Sequence, residues 1–290
     1  MNLSEKGTDI IIQNLTDFSL AQTLECGQCF RFSKLQDNKY IIIAKNKLLE
    51  IEQTDSELIL YNTSLHDFNH IWKDYFDLNT DYQEIKDYLI IKDTIMESVI
   101  NNGAGIRILG QEFYEALISF IISQNKQIPQ IKQVIENLCS KYGAFIQQIN
   151  GINYYAFPNI AKLKTLSEEE FRECKAGFRA KYLVDACANL SSGSLKEEDL
   201  LKLASSEILV KLCTIKGVGV KVSNCVLLYG LKRKEAFPID VWIKRIMESL
   251  YFKEETKLEI IQTYAKEKFG NYGGYAQQYL FYYSRSIPLH

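Results

Sequence analysis

Apolar residues follow two different patterns along the chain, and the pattern changes near residue 80. Before that point, short apolar runs alternate with polar turns such as Gln36-Asp37-Asn38 and Thr54-Asp55-Ser56. This alternation is typical of an antiparallel meander, and it predicts strands over residues 30–32, 40–44, 48–52 and 58–61. We therefore expect the first part of the chain to be a β-sheet that begins near Ile10.

From Asp81 onward, apolar residues recur at spacings of three and four, as at Phe113, Leu117, Phe120 and Ile121. Such spacing brings apolar side chains onto one face of a helix. We predict an α+β protein in which an N-terminal antiparallel sheet domain, residues 1–82, precedes an all-helical region, residues 83–290.

Length and composition limit the class of protein. The chain has 290 residues, of which 47 % are hydrophobic, so it can bury a substantial core. No apolar run approaches the ~20 residues that a membrane span needs, and the N-terminus lacks the apolar core of a signal peptide. We expect an intracellular protein, cytoplasmic or nucleoid-associated, with no membrane partner.

The seven cysteines are an odd number and occur mostly in apolar surroundings, which is typical of reduced, buried thiols. Cys26 and Cys29 form a single Cys-x-x-Cys pair, and no second pair follows at the spacing of a metal site. We therefore expect no metal ion and no cofactor.

A Gly-Val-Gly turn gives the first sign of function. Gly217 and Gly219 lack a Cβ atom, so the chain can turn sharply and bring backbone amides close to an anion. The helix expected to begin near Val220 adds unpaired N–H groups and the positive end of its dipole. We predict a helix-hairpin-helix near residues 206–231 that binds DNA phosphate, although a plain tight connection between two helices would use the same glycines.

Basic residues concentrate around this turn. Residues 208–234 contain five lysines and one arginine but no acidic residue, whereas the whole chain has 34 basic and 36 acidic residues. This local excess favours a basic face that contacts a nucleic-acid backbone, and an ordinary solvated face is the alternative.

Two residues near the turn could act chemically on a nucleotide. A lysine attacks carbon only as the neutral amine, which burial favours, and Lys221 lies two residues after Gly219. Asp240 follows Pro238-Ile239 at a predicted helix N-cap, where an ionised carboxylate could stabilise positive charge that develops on a sugar. Capping alone would also explain Asp240.

Further sequence blocks extend this pattern along the chain: Cys-Gly-Gln-Cys-Phe-Arg-Phe at 26–32, Ser-Phe-Ile-Ile-Ser-Gln-Asn at 119–125, Gly-Phe-Arg-Ala-Lys-Tyr at 177–182, Pro-Ile-Asp at 238–240 and Tyr-Ala-Gln-Gln-Tyr-Leu-Phe at 275–281. Together with the hairpin, these blocks resemble the 8-oxoguanine DNA glycosylases with lyase activity, within the helix-hairpin-helix glycosylase superfamily. The resemblance covers nearly the whole chain in order.

The resemblance implies a reaction and a pocket for the damaged base. Lys221 would attack C1′ of the damaged nucleotide, and Asp240 would be the essential carboxylate. Loss of the base would leave a Schiff base, from which β-elimination nicks the strand. The carbonyl of Gly27 would accept from N7–H, a proton that 8-oxoguanine has and guanine lacks. The other implied pocket residues are Cys225 and Phe281, which would sandwich the base, and Gln277, which would read its Watson–Crick edge.

The resemblance also implies how the protein fills the space left by the extruded base. Asn125 would occupy that space, Phe178 would be a wedge in the base stack, and Arg179 would read the opposite base. The best-known relatives add a second arginine five residues after the asparagine, where this chain has Gln130. We therefore expect weak discrimination of the opposite base.

Other departures are Trp242 in place of a usual histidine, Phe178 in place of the commoner tyrosine, and Lys216 in place of a proline. Two other functions stay open: a monofunctional glycosylase for other damaged purines, such as alkylated ones, which needs no lysine nucleophile, and a noncatalytic helix-hairpin-helix DNA-binding module. For the first function, the implied partner is double-stranded DNA containing 8-oxoguanine, bound by a monomer.

Overall fold

Six strands near the N-terminus form one antiparallel sheet in the computed structural model, which describes residues 1–287. The strands are β1 (Asn2–Lys6), β2 (Asp9–Gln13), β3 (Phe32–Gln36), β4 (Lys39–Ala44), β5 (Lys47–Gln53) and β6 (Glu57–Tyr61). They pair in the order β1-β2-β6-β5-β4-β3. The predicted N-terminal sheet is confirmed.

Three of the four predicted strands, over residues 40–44, 48–52 and 58–61, lie within β4, β5 and β6. The strand predicted over residues 30–32 begins later than expected, because Phe30 is buried among the helices and β3 starts only at Phe32. Strand β1 was missed, since all five of its residues are exposed and no apolar alternation marks it.

The described residues form sixteen α-helices after or between the strands: α1 (Leu20–Glu25), α2 (Leu65–Asp67), α3 (Lys73–Tyr75), α4 (Tyr82–Lys92), α5 (Ile95–Asn102), α6 (Phe113–Ser123), α7 (Ile128–Tyr142), α8 (Ile160–Leu163), α9 (Glu168–Glu173), α10 (Ala180–Ser192), α11 (Glu197–Leu200), α12 (Ser205–Cys213), α13 (Val220–Cys225), α14 (Val241–Met247), α15 (Leu258–Phe269) and α16 (Gly273–Ser284). Short π-helical turns at Phe68–Trp72, Val226–Gly230 and Glu248–Phe252 continue α2, α13 and α14. Turns of 3-10 helix at Gly177–Arg179 and Gly270–Tyr272 precede α10 and α16. Within residues 1–287, no helix has both the length and the apolar character needed to cross a bilayer.

One hairpin departs from the prediction of a purely helical second region. Strands β7 (Phe145–Ile149) and β8 (Ile152–Tyr155) pair through a turn at Asn150 and Gly151, both with positive φ. Asn-Gly between two apolar runs is a strong hairpin signal that the helical periodicity concealed. Tyr154 packs with Ile41 and Ile43 on the outer face of the sheet, so the hairpin joins the helical region to that face.

Two hydrophobic cores meet at the loop that follows α1. The sheet core is built from residues between Ile10 and Leu78, together with Leu109. The helical core contains residues from Tyr82 onward, but it also takes in Cys26 and Phe30. We propose that the two units divide at residue 82, where the buried residues change from one core to the other.

Buried Arg107 joins several segments at this junction. Its guanidinium donates to the carbonyls of Thr16, Asp17, Asp77 and Thr80 at 2.8 to 3.1 Å. It also lies 4.4 Å from the centre of the Tyr82 ring. Charge-assisted bonds to several carbonyls are strong, and they also satisfy loop groups that would otherwise be buried without partners.

Glu115 on α6 is a buried acid in the helical region, close to Arg31 and Glu112 at a small cavity beside the sheet. Burial raises the pKa of Glu115 from its usual 4.5 to about 7, although the charge of Arg31 opposes that rise. The folded protein therefore holds this proton more tightly than the unfolded chain does.

Because the folded-state pKa is the higher one, the free energy of unfolding should decrease as pH rises from about 4.5 to about 7. The decrease from this one group has an upper limit of about 3 kcal/mol. We expect Glu115→Gln to be more stable than wild type at about pH 8, with a smaller difference at about pH 5. Thermal melts at both pH values measure the difference. Glu254→Gln, at an exposed loop position, is the control, and a Glu115→Gln difference that does not change with pH would contradict the prediction.

Candidate active site

A narrow pocket opens between the helical region and the loop after α1. Its lining consists of Gly27, Phe120, Lys221, Cys225, Tyr229, Pro238, Asp240, Gln277 and Phe281. All six residues expected at the catalytic centre and the damaged-base pocket line this one pocket, although they are spread over more than 250 positions of the chain.

Sequence reasoning missed Phe120 and Tyr229, which form the floor of the pocket. Their rings stack with centroids 5.3 Å apart, and the Tyr229 hydroxyl donates to Gln278 Oε1 at 2.6 Å. Both residues occur in apolar helical runs, where the pattern indicates only core packing. The stack gives the pocket a rigid aromatic base.

Lys221 extends from the first turn of α13 over this floor. Its Nζ lies 5.7 Å from the centre of the Phe120 ring, and no carboxylate within residues 1–287 pairs with it. Cys225 follows one turn later on the same helix and is buried. Burial raises the pKa of the Cys225 thiol, and the charge of Lys221 opposes the rise, so the two side chains are close neighbours.

Asp240 is the N-cap of α14, as its position after Pro238 indicated. Its Oδ1 atom accepts from the backbone N–H groups of Trp242 at 3.0 Å and Ile243 at 2.9 Å. Its Oδ2 atom makes no hydrogen bond with the part of the chain that the structure describes. One oxygen therefore fixes the carboxylate, and the other is available to the pocket.

Gly27 has a backbone conformation that favours glycine, with φ of +92°. A Cβ atom here would lie 3.2 Å from Phe281 Cε1 and 3.4 Å from Ile128 Cδ1. Arg285, one turn after Phe281, donates to the carbonyl of Glu25 at 3.2 Å and holds the same loop from outside. The backbone of Gly27 can therefore approach a ligand more closely than that of a larger residue.

Gln277 has a buried acceptor without a donor. Only 4 % of this residue is exposed, and its Oε1 atom has no hydrogen-bond partner among the described residues. Leaving such an atom unpaired destabilises a fold by about 1 to 3 kcal/mol. A donor on a ligand in the pocket would remove that penalty.

The predicted helix-hairpin-helix consists of α12, a turn over residues 214–219, and α13. Gly217 has φ of +76°, and a Cβ atom there would lie 2.4 Å from the Tyr182 ring. Gly219 is the N-cap of α13 and is open to solvent, with no atom within 4 Å of a Cβ position. Gly217 is therefore required by packing, whereas Gly219 leaves room for a ligand above the helix N-terminus.

Comparisons with known proteins agree with this arrangement. A family model described as 8-oxoguanine DNA glycosylase, N-terminal domain, matches residues 10–117, and one described as HhH-GPD superfamily base excision DNA repair protein matches residues 118–269. An N-glycosylase/DNA lyase of Saccharomyces cerevisiae is 30 % identical over 92 % of this chain and 84 % of its own. The chain belongs to the 8-oxoguanine DNA glycosylases of the helix-hairpin-helix superfamily.

Two solved structures extend the similarity to nearly every residue of the glycosylase. The Clostridium acetobutylicum 8-oxoguanine glycosylase/lyase, in complex with double-stranded DNA containing cytosine opposite 8-oxoguanine, has a TM-score of 0.95 and 40 % identity, covering 99 % of this chain and 98 % of its own. MBOgg1, in complex with a low-affinity DNA ligand, has a TM-score of 0.94 and 46 % identity, with 98 % coverage of both chains.

The expected wedge of the glycosylase is an exposed aromatic residue. Phe178 lies in the 3-10 turn before α10 with 45 % of its surface accessible. Its ring is supported on one side by an edge contact with Tyr182, at a centroid distance of 6.1 Å. An exposed ring with a firm support suits insertion between bases better than it suits core packing.

The guanidinium of Arg179 is not free to contact a base in this structure. It is 4 % exposed, and its guanidinium donates to the carbonyls of Gln124, Asn125 and Ala176. Asn125 has the positive φ of 50°, which is uncommon for a residue other than glycine, and Arg179 holds the turn in that form. The two residues are thus adjacent, but in this structure the arginine positions the asparagine turn.

The expected basic face around the hairpin is smaller than the sequence indicated. Lys232 pairs with Asp74, Lys234 pairs with Asp77 at 3.4 Å, and Arg233 donates to backbone carbonyls of Leu201 and Leu203. The two lysines join the helical region to the segment after the sheet, and the arginine bonds within the helical region. Near the turn itself, the predicted basic face is therefore reduced to Lys211, Lys216 and Lys221, and of these Lys216 also pairs with Asp185 at 3.6 Å.

Proposed function

We propose that this glycosylase/lyase removes 8-oxoguanine from double-stranded DNA, with Lys221 as nucleophile. The observation that carries the proposal is that Lys221 and Asp240 share a pocket with the unpaired acceptor of Gln277 in a chain of this family. The neutral amine of Lys221 attacks C1′, the bond from C1′ to the base breaks, and the base leaves with the electron pair and takes up a proton. The remaining aminosugar opens to a Schiff base, and β-elimination then breaks the bond from C3′ to its phosphate oxygen.

Asp240 stabilises the positive charge that develops on the sugar as the base departs. Its Oδ2 atom carries this role, because Oδ1 is engaged by the start of α14. A charge held in place before the reaction acts without reorganisation, which is the usual source of electrostatic catalysis.

Recognition of the damaged base follows from hydrogen-bond polarity. The Gly27 carbonyl accepts from N7–H of 8-oxoguanine, whereas guanine would present an acceptor to that carbonyl and leave both groups unpaired. Such a mismatch costs about 1 to 3 kcal/mol. Gln277 pairs with the Watson–Crick edge, and Cys225 and Phe281 contact the two faces of the base.

Contacts with the rest of the duplex come from the hairpin and from the turn that contains Asn125. The amides of Gly217 and Gly219 contact DNA phosphate. Asn125 fills the space of the extruded base, Phe178 enters the base stack, and Arg179 contacts the opposite base after part of its bonding to the Asn125 turn is exchanged. The enzyme acts as an intracellular monomer, in the cytoplasm or at the nucleoid.

The two alternatives account for fewer of the observations. A monofunctional glycosylase for other purines has no use for an amine in the base pocket. A noncatalytic DNA-binding module has no use for a carboxylate and an unpaired buried amide beside that amine. The lysine is therefore the residue on which the test should be made.

Borohydride reduces a Schiff base to a permanent bond, so wild-type protein and a duplex with one 8-oxoguanine should form a covalent complex. We expect Lys221→Gln to form none, because the nucleophile is lost. Lys216→Gln, at an exposed lysine of the same hairpin, is the matched control and should still crosslink. A crosslink that survives Lys221→Gln in a folded, DNA-binding protein would mean that another amine attacks.

Replacements of Asp240 should separate capping from catalysis. Asparagine caps helices about as well as aspartate, so Asp240→Asn should melt near the wild-type temperature, whereas Asp240→Ala should lose about 1 kcal/mol. Both variants should excise the base roughly a hundredfold more slowly, because both remove the charge. Single-turnover excision and thermal melts measure the two effects. Unchanged turnover in Asp240→Asn would leave Asp240 with capping as its sole role.

The opposite base should be read weakly. Gln130 is at the position of the missing arginine, and its Oε1 atom accepts from the backbone N–H of Gln127 at the start of α7. Excision rates with cytosine, adenine, guanine or thymine opposite should agree within about tenfold, and Gln130→Arg should increase the preference for cytosine. A hundredfold preference for cytosine in wild type would contradict this expectation.

A further inference from the structure

A second cavity lies between the sheet and the helical region, apart from the Lys221 pocket. It has a volume of about 340 Å³ and lies between α7, strands β3 and β4, and the hairpin of β7 and β8. It shares no lining residue with the Lys221 pocket. Cavities of this size at the junction of two structural units are common places for small ligands.

The walls of this cavity are largely apolar, and its charged lining residues are Arg31, which donates to the Tyr155 carbonyl, and Lys132 and Glu136 of α7. Phe32, Ile41 and Ile43 come from the sheet, and Tyr154 comes from the hairpin. Lys132 and Glu136 are one helical turn apart, so both project from the same face of α7. Apolar walls with a few polar groups suit an aromatic ligand.

Lys132 has an aromatic partner but no counter-ion. Its Nζ lies 3.6 Å from the centre of the Phe32 ring, and no carboxylate within residues 1–287 is within 4.0 Å of it. The residue is partly buried, and burial lowers the pKa of its amine. Acceptor atoms on a ligand would supply the hydrogen bonds that the ammonium lacks.

Glu136, at the open edge of the cavity, supplies a negative charge and hydrogen-bond acceptors, in contrast to the Lys132 ammonium. Burial raises the pKa of Tyr154, and the charge of Glu136 raises it further, so the carboxylate is near that ring. Although Lys132 and Glu136 have opposite charges at a spacing that allows a salt bridge, they do not form one. The cavity therefore presents donors at one point and acceptors at another.

We propose that this cavity binds a guanine-type nucleoside. The base lies beside Tyr154. Lys132, which covers the Phe32 ring, donates to O6 and N7, and Glu136 accepts from N1–H and the 2-amino group. Adenine keeps the N7 acceptor but presents an amino group to the lysine in place of O6, and it presents an unprotonated N1 to the carboxylate. Hypoxanthine keeps O6, N7 and N1–H but lacks the 2-amino group.

Helix α7 also lies beside the Lys221 pocket. Ile128, one turn before Lys132, contacts the Gly27 segment, with its Cδ1 atom 3.4 Å from a Gly27 Cβ position. The proposed nucleoside site does not depend on the reaction at Lys221, since none of its residues takes part in that reaction.

Calorimetric titration of the full-length, DNA-free protein with deoxyguanosine, deoxyinosine and deoxyadenosine tests the site. Deoxyguanosine should bind most tightly, deoxyinosine more weakly, and deoxyadenosine at least about tenfold more weakly than deoxyguanosine. Equal binding of deoxyadenosine and deoxyguanosine, or no binding of deoxyguanosine, would overturn the proposal.

Variants assign any binding to one of the two pockets. Lys132→Met should weaken deoxyguanosine and deoxyinosine by a similar factor of about ten, and Glu136→Gln should reduce the difference between these two nucleosides. Gln277→Ala, in the Lys221 pocket, should leave deoxyguanosine affinity unchanged. Both α7 residues are partly or fully exposed to solvent, and thermal melts confirm folding. Binding that is lost in Gln277→Ala and kept in Lys132→Met would place the nucleoside in the Lys221 pocket and refute the second site.

Discussion

The anchoring of one short loop in two hydrophobic cores is the constraint on which the rest of the site depends. Cys26 and Phe30 are buried among the helices, whereas Cys29 is buried under the sheet. Gln28 is 1 % exposed, donates to the carbonyls of Thr23 and Arg107 at 2.9 and 2.7 Å, and accepts from the amide of Leu109. Gly27 is left at the surface of the pocket with its neighbours fixed. A backbone carbonyl cannot adjust by changing a rotamer, so recognition through it requires such anchoring.

The pocket combines a rigid floor with polar groups that the fold leaves without partners. Phe120, Tyr229 and Gln278 form a continuous stack and hydrogen-bonded unit. Above it, Gln277 keeps a buried acceptor unpaired, and Lys221 has no counter-ion among the described residues. Native folds satisfy most buried polar atoms, so each unpaired one calls for an explanation. The unpaired groups therefore lower the stability of the fold, but they are already in position to bind a ligand in the pocket.

Charges near the hairpin show why a basic stretch in a sequence is not yet a basic surface. Lys232 and Lys234 reach Asp74 and Asp77, which lie more than 150 positions earlier and after the last strand of the sheet. Opposite charges that are distant in sequence become neighbours only when the two units pack together. Tertiary packing also determines what Arg179 contacts. Its guanidinium could hydrogen-bond to a base, but in this structure it donates to the backbone of the Asn125 turn.

Local patterns in the sequence were sufficient for the strands β4 to β6, for the turn at Gly217, for the cap at Asp240 and for the α+β order, because short-range sterics and periodicity decide these features. The candidate pocket residues could be named from motif blocks, but no spacing in the chain relates Gly27 to Phe281. Tertiary structure alone placed Phe281 Cε1 3.2 Å from the position that a Gly27 Cβ would occupy and left Gln277 without a donor. It also paired Lys232 with Asp74 and Lys234 with Asp77, and it packed the hairpin at residues 145–155 against the sheet. The physical reason is that burial and pairing depend on residues far apart in sequence, whose proximity is determined by the packing of the two cores.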